Sequence, residues 1–169
     1  MKALISSKKA PNMKRLSHIL TIVICFLLLC AVETALAAVK VTLTLNRAAI
    51  NFPSDDPDTV PSVPASENPL GIQVKVTGNG PPDGPWRLQV LASGDLVSGS
   101  DIIAISNVSW TASPLPFIDG RLDKTAPQTV ANGSGNANLN GSISFFFKNS
   151  WDYWIGNYSQ IITYTLTAP

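Results

Sequence analysis

The chain has 169 residues, with 12 lysines and arginines against 11 acidic residues, two cysteines and one histidine. Cys25, Cys30 and His18 all fall within residues 1–37, so the remainder holds no thiol and no imidazole; that excludes Ser-His-Asp and Cys-His catalysis, the usual zinc sites and a disulfide scaffold. Residues 38–169 carry 7 basic and 10 acidic side chains, a net charge of about −3 with no basic run, and this excludes nucleic acid as a partner.

Residues 1–37 read as a secretory signal peptide. Lys2, Lys8, Lys9, Lys14 and Arg15 are followed by an apolar run from Ile19 to Ala31, then by Ala35-Leu36-Ala37, a small-residue cleavage site. The run falls short of the ~20 residues that span a bilayer. An uncleaved N-terminal anchor is the alternative, since the flanking charges suit it too. Cleavage after Ala37 leaves residues 38–169 as one domain outside the cytoplasm, with no membrane attachment. Packing and sheet hydrogen bonds must hold it.

From there the chain is written in period two. Residues 39–45, Val-Lys-Val-Thr-Leu-Thr-Leu, alternate cleanly and predict a strand, with 48–52 as its expected continuation after a bend. Residues 53–69 hold five prolines and predict a long surface loop. Residues 70–77 predict a second strand with Ile72, Val74 and Val76 inward. Residues 78–85 are dense in Gly, Pro, Asn and Asp, and residues 86–90 alternate again, with Trp86, Leu88 and Val90 on one face. These two strands are expected to form a hairpin. Residues 93–99 predict a turn. Residues 101–110 carry Ile103, Ile105, Val108 and Trp110, whose change of phase predicts a break near Asn107. Residues 113–127 read as mostly irregular, 128–130 as a short strand and 131–136 as a flexible turn. Residues 138–148 set Leu139, Gly141, Ile143, Phe145 and Phe147 on one face, with Phe146 opposite. In the last stretch Tyr158, Ile162, Tyr164 and Leu166 point one way, and the threonines point the other. The last two strands are expected to be neighbours. Six to eight short strands, frequent turns and no amphipathic helix predict an all-β antiparallel sandwich of Greek-key type.

The remaining chemistry is sparse. The acids of residues 38–169 nearly all stand beside Pro, Gly, Ser or Asn, where a carboxylate caps a turn. Asp55-Asp56-Pro57-Asp58 clusters oxygens of the kind a hard cation takes, but without EF-hand spacing; it reads as a solvated loop. No catalytic residue, cofactor motif or metal-ligand set emerges, and the expectation is a protein that is not an enzyme. Trp86, Trp110 and Tyr158 keep strand phase and are expected in the core. Trp151, Asp152, Tyr153 and Trp154 do not share an alternating face, so they either plug the end of the sandwich or contact a ligand.

Trp86-Arg87-Leu88 in mid-chain, with Gly156-Asn157-Tyr158 and Tyr164-Thr165-Leu166 near the end, resembles WxL-type domains, which pair two W-x-L tripeptides with a G-x-Y turn. Tyr164 stands where the second tryptophan would be. The resemblance implies a secreted, β-rich bacterial protein held non-covalently on the cell surface, with peptidoglycan or another surface polysaccharide as partner. The terminal strand is also loosely similar to those of fimbrial and spore-coat sandwiches, which implies the alternative: a structural subunit joined to like subunits by strand exchange, residues 39–45 being the donor.

Overall fold

Period-two alternation becomes two antiparallel sheets packed against each other in the computed structural model, which describes residues 38–78 and 84–169. The expected signal peptide, 1–37, lies outside the described residues. The strands are β1 (Lys40–Leu45), β2 (Ser62–Pro64), β3 (Leu70–Thr77), β4 (Pro85–Ala92), β5 (Leu96–Ser98), β6 (Asp101–Ile103), β7 (Val108–Ser113), β8 (Gly120–Arg121), β9 (Gln128–Ser134), β10 (Ala137–Lys148) and β11 (Ile162–Thr167). Seven of the strands among the described residues have six residues or more, and the other four have two or three. The first sheet runs β1-β3-β10-β7-β8, with β2 also on β10; the second runs β11-β4-β9; β5 and β6 form a separate hairpin.

The core lies between the sheets. Leu70, Ile72, Val74, Val76, Ile143 and Phe145 from the first sheet meet Trp86, Leu88, Val90, Ala92 and Val130 from the second. All of these are alternating positions, so the phase read from the sequence is the phase of the structure. Trp110 is buried as expected, and its indole N–H donates to the Ile118 carbonyl at 2.9 Å. The break near Asn107 is a 3-10 turn, Ile105–Asn107.

Strand partners differ from the expected ones. β3 and β4 are not a hairpin: β3 pairs with β1 and β10, whereas β4 pairs with β11 and β9. β10 and β11 likewise sit in different sheets. Turn residues specify that the chain reverses, not which strand it meets afterwards, and a sheet-to-sheet crossing uses the same residues as a hairpin. Residues 131–134 are strand, not turn, because β9 is bulged against β4: Leu88 faces Ala131 while Gln89 faces Thr129. The extra residue lets consecutive Val130 and Ala131 both reach the core. Residues 48–52 form no strand, although Ile50 and Phe52 pack on the core. The turn at 93–99 contains β5, and the irregular stretch 113–127 contains β8 and buries Phe117 and Leu122. Tyr158 is only half-buried and lies outside β11.

The 53–69 loop contains β2, whose Val63 is 1% exposed. β2 and β3 lie end to end along one side of β10. Between them the Asn68 side chain donates to the Phe145 carbonyl at 2.7 Å and accepts from the Phe145 N–H at 2.8 Å. The side-chain amide thus takes the place of a peptide unit where the two strands leave a gap.

Candidate functional site

The connection from β10 to β11, residues 149–161, carries the aromatic cluster. It is anchored at both ends. Asn149 donates from its backbone N–H to the Pro61 carbonyl at 2.9 Å and from its side chain to the Asp55 and Val60 carbonyls at 2.9 and 3.3 Å. At the far end Ser159 and Val97 exchange backbone bonds of 3.2 and 3.1 Å. The Gln160 side chain donates to the Asp95 carbonyl at 2.6 Å and accepts from the Ser93 hydroxyl.

Within the connection the four residues singled out above take different parts. Tyr153 turns inward: its ring packs on Phe147 at 5.7 Å between centroids, and Phe147 packs on Phe52 at 5.8 Å. Burial, followed by the nearby Asp152 carboxylate, raises its phenol above the ordinary value. Asp152 closes a local turn, accepting from the Ser150 hydroxyl at 2.8 Å while its N–H donates back to that oxygen at 3.1 Å. The Trp151 indole N–H donates to Asp58 at 3.1 Å, but the residue remains 68% exposed. Trp154 is 76% exposed, its carbonyl accepts from the Tyr158 hydroxyl at 3.1 Å, and the next residue, Ile155, is fully exposed.

Asp58 is the partner that sequence reasoning missed, because a contact across 93 positions leaves no periodic signal. The acidic loop itself is a folded turn. Asp56 accepts from the Asp58 N–H at 2.9 Å, and its carbonyl accepts from the backbone of Thr59 and Val60 at 3.1 and 2.8 Å. Asp56 and Asp58 thus serve a backbone N–H and an indole N–H. Among the described residues no group of three or more His, Cys, Asp or Glu side chains is placed to hold a metal ion. Three further acids also serve backbone or neighbours: Asp119 accepts from the Ala112 N–H at 2.7 Å, Asp123 from the Thr125 N–H at 2.6 Å, and Asp95 pairs with Lys124.

What results is a tied-down connection that holds two indoles out in water, that of Trp151 bonded to the Asp58 carboxylate, with Asp152 between them along the chain. Indole faces stack on apolar faces such as those of sugar rings, and carboxylates accept bonds from hydroxyls. The two tripeptides behind the WxL resemblance lie elsewhere, on the paired strands β4 and β11, where Leu88 faces Leu166. Comparison with family models, curated proteins and solved structures finds no match to this chain.

Proposed function

We propose that this protein is a non-catalytic extracytoplasmic β-sandwich that holds a cell-wall or matrix polysaccharide on Trp151 and Trp154, with Asp152 supplying hydrogen-bond acceptance at the rim. The observation that carries the reading is the exposure of two tryptophans on a connection whose backbone is anchored at both ends. Exposed large aromatics cost solvation, and two of them on one anchored connection mark a contact surface more often than an isolated apolar residue does. Anchoring lowers the conformational entropy lost when the polymer docks.

The test is pull-down on purified peptidoglycan with the double variant Trp151→Ala, Trp154→Ala. Binding should fall at least about tenfold, as for aromatic hot spots, while the melting temperature hardly moves, because both rings are solvent-facing. Tyr153→Ala is the structural control: it removes the ring stacked on Phe147 and should lower the melting temperature. A wild-type protein that does not bind the polymer, or a double variant that binds as well as wild type, overturns the assignment.

A further inference from the structure

The two sheets end on the same side of the sandwich in β1 and β11. Leu43 and Leu45 from one strand and Ile162 and Tyr164 from the other line an open groove. Their side chains face inward but are only half-buried, and Val41 is 38% exposed. Soluble proteins defend such edges with very short strands, lysine, proline, bulges or a covering segment. The opposite edges here are defended: β8 has two residues, and β9 is flanked by Phe117 and Ile118, whose N–H donates to the Val130 carbonyl at 2.8 Å. Val41 to Leu45 and Ile162 to Thr167 contain no charge, proline or glycine.

The ladder shows which groups are left over. The Asn46 N–H donates to the Gly71 carbonyl at 3.1 Å, opposite it in the register. Bonded pairs recur every second residue, so Thr42 and Thr44 also bond to β3, and Val41, Leu43 and Leu45 turn their N–H and C=O toward an edge that no other described strand covers.

We propose that this seam joins a second copy of the chain, with β1 antiparallel to β1 about a two-fold axis at Leu43. Self-pairing satisfies two requirements at once. Inward faces must match, and groups facing the free edge must meet each other; both demand that odd-numbered residues oppose odd-numbered ones. Centred on Leu43, the pairing sets Val41 against Leu45, Thr42 against Thr44 and Lys40 against Asn46, so no like charges meet. β11 centred on Tyr164 has the same property, with Ile162 against Leu166. Strands ~20 Å long in sheets ~10 Å apart present about 500 Å² per copy with their side chains. The resulting ~1,000 Å² in total is at the lower bound for a specific interface, in the size class of weak and transient contacts.

Sedimentation equilibrium of the protein purified as recovered outside the cell, between ~10 and ~200 μM, should show a monomer–dimer equilibrium. Val41→Lys places an inward charge on the edge and should weaken the dimer at least tenfold, with little change in melting temperature since Val41 is exposed. Val41→Pro removes an edge N–H that β3 does not use and should do the same. In the unaltered protein, amide exchange at Val41, Leu43 and Leu45 should slow as concentration rises, while Thr42 and Thr44 keep a constant rate. A monomer at every concentration, or a dimer without concentration-dependent protection at those three amides, overturns the proposal. Neither result bears on the indole surface, which is read out separately by polysaccharide binding.

Discussion

Tyr164 concentrates the packing problem of the open seam in one side chain. It sits on the core face of β11, and its hydroxyl is buried with no hydrogen-bond partner among the described residues. Such a group costs about 1–3 kcal/mol of desolvation. Tyr164→Phe should therefore be neutral or stabilising by about 1 kcal/mol, whereas Tyr164→Ala should cost about 3 kcal/mol by leaving a cavity. Thr165→Ala, on the exposed face, should stay within about 0.5 kcal/mol. Burial also raises the Tyr164 phenol well above its ordinary value of 10.0. The folded state then holds the proton more tightly than the unfolded chain, so this contribution is complete below about pH 10 and lost as the pH rises beyond it. Urea titrations at alkaline pH should show unfolding that Tyr164→Phe moves to higher pH. An unchanged alkaline limb in that variant would show that Tyr164 is not the group responsible.

At the scale of elements, strand faces were legible and strand partners were not. Ile72, Val74 and Val76 on β3 and Trp86, Leu88 and Val90 on β4 announced their burial by alternation. Alternation is a property of one strand, and pairing is a property of two. The glycines illustrate the difference. A Cβ on Gly133 would lie 2.6 Å from the Trp86 ring on the neighbouring strand, and the ring of Trp110 likewise covers Gly120. In the sequence Gly133 marks a turn; in the sheet it is a seat for an aromatic ring. Asn68 is similar: it reads as a loop residue, yet it bridges the ladder where β2 hands over to β3. Asn68→Ala leaves the Phe145 N–H without that acceptor and should cost about 1–3 kcal/mol. Asn68→Asp keeps the acceptor and loses only the donor, so chemical denaturation should rank it between wild type and Asn68→Ala.

For the whole molecule, the proposed location and the proposed surface rest on different parts of the chain. Export rests on residues 1–37, and N-terminal sequencing of protein recovered outside the cell should begin Ala38-Val39-Lys40; a product retaining Lys14 and Arg15 would refute cleavage after Ala37. The polysaccharide surface rests on the 149–161 connection, whose aromatic composition was visible in the sequence. Which rings are available was not visible. Tyr153 was absorbed by Phe147, and Trp151 was pinned by Asp58 from the acidic loop. Asp56 and Asp58, read in the sequence as part of a solvated loop, form a turn and an indole anchor.

The sequence by itself determined the class of fold, the phase of the principal strands and the absence of thiol and imidazole from residues 38–169, because these depend on residue type and on spacing along one strand. Only the tertiary structure decided that β3 and β4, like β10 and β11, lie in different sheets, that β1 and β11 frame a seam left open among the described residues, and that two of three clustered aromatics face water. Those outcomes depend on which strand meets which, and pairing over dozens of residues is settled by the packing of two complete faces, which no local pattern encodes.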